Sequence, residues 1–193
     1  MTCIVGMLDK NGIAWLGGDS LGSNGYTGNV YKNKKIFKIK DSSEILVGYT
    51  SSFRMGQLLQ YSSGLFDELS LLKNSIDEEY MVNTFIPNLK DLFYNGDFGK
   101  DQSKEGGTFL ISVKDKLYEV QCDYSILEPS SGYAAVGSGE NFAKSSLYTT
   151  EGLGLSPVER ITKSLESAER FSVSVQRPFY IINSENDDIV EIK

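Results

Sequence analysis

Strand-like and helix-like stretches come in blocks along this chain, and that grouping constrains its fold more than any other feature. Residues 2–8 are short and apolar, Asn11-Gly12 is a tight-turn pair, and Ile13 to Leu16 resume an apolar run. This predicts a hairpin with Thr2 at its outer end. Residues 19–33, rich in Gly, Ser and Asn, read as an irregular loop. Ile36 to Ile39 and Ile45 to Gly48 read as two further strands. A broad apolar face over 52–69 predicts a helix. Ser75-Ile-Asp-Glu78 has the form of a capping box that opens a second helix, with Pro87 inside it implying a kink or an early break. A second hairpin follows, with Thr108 to Val113 paired to Leu117 to Cys122. Tyr133 to Val136 is a buried strand that leads into a helix ending near Tyr148. Ser156-Pro-Val-Glu159 combines a cap, a first-turn proline and a glutamate three after the cap, and starts a helix to about Arg170. Residues 178–183 and 188–192 close the chain as a hairpin.

The order is strands, two helices, strands, two helices, strands. Grouped runs predict an α+β layered fold rather than an alternating parallel sheet. Two antiparallel sheets covered by two helical layers satisfy every apolar face. At 193 residues, with hydrophobic residues at 40%, the chain is expected to form a single domain, residues 1–193.

There is no histidine. This excludes Ser-His-Asp and Cys-His catalysis, HExxH zinc sites and two-histidine iron sites. Acid–base work near neutral pH must use a carboxylate, lysine, tyrosine, cysteine or the terminal amine. The net charge of −7 disfavours bulk binding to nucleic acid or an anionic membrane. Cys3 and Cys122 are too few for a disulfide framework or a structural zinc site. The opening residues lack a basic region followed by a long apolar run, and no apolar stretch approaches membrane-spanning length. The expected setting is a reducing cytoplasm, the case of a chain made inside a cell by a virus included.

Thr2 is the first candidate for chemistry. Methionine aminopeptidases usually remove Met1 when the next residue is this small. A terminal threonine carries its own base, an α-amine with an ordinary pKa near 8. The plain alternative is an initiator followed by a β-forming residue. Asp19, in Gly17-Gly-Asp-Ser20, returns to the end of the hairpin where Thr2 sits. There it either orients a neighbouring ammonium or caps a turn. In Lys34-Lys-Ile-Phe-Lys-Ile39, alternation puts Lys35 with Phe37 and Ile39. Lys35 either reaches a site beside Thr2, lowering the pKa of its hydroxyl and amine, or guards a strand edge. Gly48-Tyr49-Thr50-Ser51-Ser52 joins a strand to a helix; its backbone N–H groups either stabilise an oxyanion or belong to a plain turn with a Ser cap. Gly137-Ser138-Gly139 lacks the phosphate-loop and GxSxG patterns; Ser138 either bonds a terminal amine or enters a helix. Cys3 is expected to pack on the opposite sheet face. Glu185, Asp187 and Asp188 either attract a cation or form a solvated turn.

Taken together, these segments resemble the proteasome β-type N-terminal-nucleophile hydrolases, and most of all the bacterial HslV peptidase subunits. Thr2-Cys-Ile-Val5 resembles the family's Thr-Thr-x-Val opening, and Gly18-Asp19-Ser20 its Ala/Gly-Asp-Ser/Gly. Lys34-Lys35-Ile36 resembles its Lys-Lys-hydrophobic motif, at the family's interval from the aspartate. Val47-Gly48 is similar to its Ala-Gly turn, and Ala135-Val-Gly-Ser-Gly139 with Ala143 to its Gly-Ser-Gly-x-x-Ala helix entry. The resemblance spans essentially the whole chain. It implies a four-layer αββα sandwich and a threonine-type endopeptidase or amide hydrolase acting on peptides or unfolded proteins. Thr2 would be nucleophile once Met1 is removed, Lys35 would tune pKa values, Asp19 would orient Lys35, the Gly48 N–H would hold the oxyanion and Ser138 would support the amine. It also implies a homo-oligomeric ring, often fed by an ATP-dependent unfoldase. No cofactor is required. Some relatives hold a monovalent cation on backbone carbonyls near an Asp-x-x-Ser element. That element is not legible here, where Glu169 to Ser174 puts Arg170 or Ser172 at the nearest positions. The hairpin from Thr2 to Asp19 is one residue longer than the family's, and Thr50-Ser-Ser52 predicts a more polar pocket. Two other readings remain: a non-catalytic proteasome-like scaffold, and an amidohydrolase or transpeptidase for small amides.

Overall fold

The computed structural model describes residues 2–24, 26–40, 44–62, 64–71, 76–98 and 106–193. In chain order, β1 (Ile4–Leu8) and β2 (Ala14–Gly18) form the opening hairpin. β3 (Leu21–Ser23) and β4 (Gly28–Val30) form a short ribbon, and β5 (Ile36–Lys38) pairs with β6 (Ile45–Tyr49). The first helical block holds α1 (Phe53–Tyr61), α2 (Asp67–Leu71), α3 (Glu78–Tyr80), a π-helical turn (Met81–Phe85) and α4 (Ile86–Asn95). Strands β7 (Phe109–Val113), β8 (Lys116–Val120), β9 (Ile126–Leu127) and β10 (Tyr133–Val136) follow. Helices α5 (Glu140–Thr149) and α6 (Pro157–Phe171) and strands β11 (Phe179–Asn183) and β12 (Val190–Ile192) complete the chain.

Two antiparallel five-stranded sheets result, ordered β10-β1-β2-β11-β12 and β5-β6-β7-β8-β9. Side chains alternate across each strand, and the two faces bury different things. On β6, Ile45, Val47 and Tyr49 pack with Met55 and Leu59 of α1 and with Leu89 and Phe93 of α4. Leu46, between them, meets Ile4 and Leu16 of the other sheet. On β1, Val5 and Met7 lie beneath Ala143 and Leu147 of α5 and Ile161 and Leu165 of α6. Three apolar interfaces are thus stacked: helices on sheet, sheet on sheet, sheet on helices. The α+β sandwich expected from the grouped runs is the observed architecture.

The helix boundaries follow local chemistry. At α6, both bonds of the capping box form: the Glu159 N–H donates to Ser156 Oγ at 3.3 Å, and the Ser156 N–H to Glu159 Oε2 at 2.8 Å. The helix expected over 52–69 is instead two, α1 and α2. α1 stops at a Ser62 cap in extended conformation, and Gly64 adopts φ +95°. Ser75 lies outside the described residues. The cap actually seen is Asp77, whose carboxylate accepts the Tyr80 N–H at 2.8 Å. Pro87 does not end its helical segment, but it does coincide with a break in α geometry. A π-helical turn sits immediately upstream of α4, whose first turn holds the proline, where a missing N–H and a bulky ring are best tolerated. Part of the loop expected over 19–33 is the β3–β4 ribbon.

Two tyrosines give the core a pH signature. Tyr49 is 4% exposed, with its ring flat against Gly56 of α1, where an added Cβ would lie 2.1 Å from Cζ. Burial first, then the Tyr61 phenol, push its pKa up to about 12. Burial raises Tyr118 as well; its hydroxyl donates to the Ile76 carbonyl at 3.1 Å. The unfolded chain ionises a tyrosine near 10, so the contribution of neutral Tyr49 is whole below that pH and is lost as the pH rises through about 12. Chemical denaturation at a series of alkaline pH values should show Tyr49→Phe losing stability less steeply than wild type above pH 10; parallel slopes would contradict this account.

Candidate active site

The register of the opening hairpin decides what surrounds Thr2. Ile4 opposes Gly18, which brings Cys3 level with Asp19. The Asp19 N–H donates to the Cys3 carbonyl at 3.3 Å, and the Cys3 N–H to Asp19 Oδ1 at 3.0 Å. Thr2 follows at the mouth of this pairing, 4% exposed. Its nitrogen donates to Ser138 Oγ at 3.2 Å, and its carbonyl accepts from Ser138 Oγ and the Gly139 N–H, each at 3.3 Å. Gly137 makes this grip possible. It has φ +100°, and an added Cβ would stand 2.3 Å from the Thr2 carbonyl oxygen. The glycine-rich turn therefore holds the backbone of Thr2, and Ser138 lies where the sequence placed it, on the threonine nitrogen.

Beneath Thr2 lies a buried ion pair. Lys35 Nζ stands 2.8 Å from Asp19 Oδ1, with the two side chains 2% and 0% exposed. Lys35 also donates to the Leu21 carbonyl. Asp19 Oδ2 accepts the Leu21 N–H at 3.0 Å and the Gln176 N–H at 3.5 Å. Burial pushes the Lys35 ammonium down from its ordinary value, and Asp19 pulls it back. Burial likewise pushes the Asp19 carboxyl up, opposed by Lys35 and by the Cys3 and Leu21 N–H groups. Such a pair is tolerable because each charge also bonds groups beyond its partner: the Leu21 carbonyl for the ammonium, and the Cys3, Leu21 and Gln176 N–H groups for the carboxylate. Alternation along β5 selects Lys35 for this role; Lys34 points elsewhere, its Nζ 4.9 Å above the Tyr180 ring.

Gly48 is placed differently from the sequence reading. It belongs to β6, paired with Ile36 and Leu110, and it faces the other sheet. A Cβ on it would meet Ile4 Cγ2 at 2.5 Å and Ile36 Cγ2 at 3.2 Å. Gly48 is therefore a spacer between the sheets, and the cavity at Thr2 lies farther along the chain. That cavity, 60 Å³, is lined by Thr2, Lys35, Gly22, Ser23, Tyr49, Thr50, Ser51, Ser52 and Phe53. Ser51 has φ +64°, with the Ser52 N–H bonded to the Thr50 carbonyl at 2.7 Å across it. A non-glycine residue so held is strained, and strain of this kind collects at functional sites. The Ser51 N–H has no hydrogen-bond acceptor among the described residues.

Other groups are set aside by their surroundings. Cys3 is buried beneath α5 and α6; burial and the neighbouring Asp19 push its thiol up, so it is no thiolate. Ser172 caps α6 and accepts the Ser174 N–H at 3.3 Å. Asp187 pairs with Lys38 at 3.1 Å on an exposed turn. A larger cavity, 360 Å³, lies around Lys34, Lys38 and Asp188, away from Thr2. Among the described residues, no three His, Cys, Asp or Glu side chains gather as metal ligands. Sequence reasoning had Ser51 in the turn that offers N–H groups and in the polar lining, but singled out Gly48 within that turn and did not foresee the Tyr49 and Phe53 rings at the cavity. A positive φ on serine leaves no sequence signal, whereas the parity of β6 was readable and would have turned Gly48 away from the site.

No protein-family model and no curated protein matches the sequence. Solved structures do match. BPH of Thiobacillus denitrificans superposes with a TM-score of 0.73 at 17% identity, covering 98% of this chain and 98% of that one. HslV of Trypanosoma brucei gives 0.71 at 15% identity, over 94% of this chain and 98% of that one. The Gly-1 mutant of Anbu from Hyphomicrobium sp. strain MC1 gives 0.69 at 14% identity, over 100% and 87%. At such identities the likeness is one of fold.

Gly48→Ala should lower stability by about 1–3 kcal/mol, as overpacking of a buried position does. Denaturant unfolding measures this. An unchanged midpoint would return Gly48 to the list of residues free to serve the site.

Proposed function

We propose that this chain, whose fold is that of the proteasome β-type N-terminal-nucleophile hydrolases, is a threonine peptidase with Thr2 as its nucleophile. One observation carries the reading. In a protein without histidine, the Thr2 nitrogen is bound by Ser138 at 3.2 Å while Thr2 and the buried Lys35 line one cavity. Removal of Met1 turns that nitrogen into an α-amine, a base with a pKa near neutrality. The amine takes the proton from Thr2 Oγ as the oxygen attacks the substrate carbonyl carbon. It then delivers the proton to the leaving nitrogen. The Thr2 ester that remains is hydrolysed by water, with the amine again as base. The Lys35 ammonium favours the deprotonated forms of both groups, and Asp19 keeps it charged and aimed. For the oxyanion, Ser51 replaces Gly48 as the donor, since Ser51 lines the cavity and its N–H bonds no acceptor among the described residues.

A peptide substrate is supported by the strand edge beside the nucleophile. The Tyr31 N–H bonds Ser20 O and the Asn24 N–H bonds Thr27 O, so in β3 the backbone of Gly22 turns to β4. The backbone of Ser23 therefore turns the other way, as Leu21 does towards Asp19 and Lys35. The reaction needs no cofactor. The fold likeness supports a single domain working in a homo-oligomeric ring, with an ATP-dependent unfoldase as a candidate partner. Phe171, Val173 and Tyr148, 67%, 98% and 72% exposed on the α5–α6 layer, support burial of that face in an assembly. No helix among the described residues is long and apolar enough to cross a membrane. The reading places the protein in a bacterial cytoplasm, its gene cellular or viral.

The deciding experiment is intact-mass analysis with and without a peptide epoxyketone. The expected chain lacks Met1 and gains one inhibitor mass, and Thr2→Ala abolishes both labelling and the cleavage of fluorogenic peptides by several orders of magnitude. Cleavage that persists in a verified Thr2→Ala protein refutes the reading. Retained Met1 with no labelling favours a non-catalytic scaffold. In light scattering after size exclusion, a large ring supports the chambered peptidase, and a small oligomer favours an enzyme of small amides.

A further inference from the structure

The cavity at Thr2 is small, and aromatic rings bound one side of it. At 60 Å³ it is a quarter of the neighbouring 240 Å³ groove and a sixth of the 360 Å³ cavity around Lys34. Tyr31 and Phe53 stand edge to face with centroids 5.5 Å apart, and Phe53 and Tyr49 do the same at 6.3 Å. These rings close over Gly22: a Cβ there would lie 2.5 Å from Tyr31 Cε2 and 2.9 Å from Phe53 Cε2. Tyr49, behind them, cannot retreat, since its ring already touches Gly56. The polar lining foreseen from Thr50-Ser-Ser52 is present, but the rings set the size.

We infer that Phe53, Tyr31 and Tyr49 restrict this site to amides whose residue on the acyl side of the scissile bond is small: glycine, alanine or serine. The inference rests on the hydrolase reading above and deepens it. A residue attacked by Thr2 must bring its carbonyl carbon to Oγ, which puts its side chain at this cavity. The neighbouring groove, 240 Å³, lies along the β3–β4 ribbon; Tyr31 lines it and not the cavity, whereas Gly22, Ser23 and Phe53 line both, so Phe53 stands between the two spaces. A methyl or hydroxymethyl group fits the inner space. An isobutyl or benzyl group meets the face of Phe53. Phe53 begins α1 at 37% exposure and Tyr31 is 44% exposed, so truncating either removes the wall without emptying a core position.

The test uses the full-length, processed protein and fluorogenic peptides that differ only in the residue before the cleaved bond. Wild type should favour alanine and serine over leucine and phenylalanine by at least about tenfold in kcat/KM. Phe53→Ala should raise the ratio of leucine to alanine cleavage by at least about tenfold, and Tyr31→Ala, a second variant should the first fold poorly, should move it the same way. A wild-type enzyme that cleaves leucine or phenylalanine peptides as well as alanine ones overturns the inference, as does an unmoved ratio in both variants. In either case epoxyketone labelling of Thr2 shows that the hydrolase reading survives. If no peptide is cleaved and Thr2 stays unlabelled, the hydrolase reading fails, and the size limit fails with it.

Discussion

Everything at this site hangs on the contact between Lys35 and Asp19. The ammonium and carboxylate are buried, and neither could remain so alone. Their unmet bonds recruit four backbone groups from three separate stretches of chain: the N–H of Cys3, the N–H and carbonyl of Leu21 and the N–H of Gln176. The pair thereby ties the chain's opening residues to the end of β2, the start of β3, the entry to β5 and the loop after α6. Around it the apolar layers need only close. The tie also accounts for the neighbouring hydrogen bonds of Ser20, whose N–H reaches the Gln176 carbonyl at 3.1 Å and whose hydroxyl donates to the Pro178 carbonyl.

Much of this was legible from residues alone, and the reasons are physical. Block order reveals layers because a sheet face and a helix stripe must each find a partner. Asp19 and Lys35 were legible because a hairpin returns to its origin and a strand alternates, so their positions follow from counting. Ser138 was legible because a glycine on either side marks a close approach. The α6 start was legible because its capping bonds are local.

The failures share a cause as well. The split between α1 and α2 and the ribbon inside 19–33 depend on what the rest of the molecule packs against. The irregular, polar composition of 19–33 hides three-residue strands. Gly48 misled because glycine has two uses, to free a backbone for function and to let two surfaces meet, and only the parity of β6 separates them. Ser51 was in the right turn, but nothing singled it out there, because its left-handed conformation is imposed by the fold on a residue that does not prefer it. The aromatic wall escaped notice because Tyr31, Tyr49 and Phe53 come from three elements that meet only in three dimensions.

The placement of Gly48 has a mechanical consequence. It sits three residues before Ser51 and five before Phe53, on the strand whose other face carries Tyr49. The distance at which β6 rests on β1 and β2 therefore sets how far the following turn leans towards Thr2. The aperture of the cleft is in this sense a calibration of the whole sandwich. A methyl group added between the sheets, remote from any substrate, would retune the opening as surely as a change in its lining.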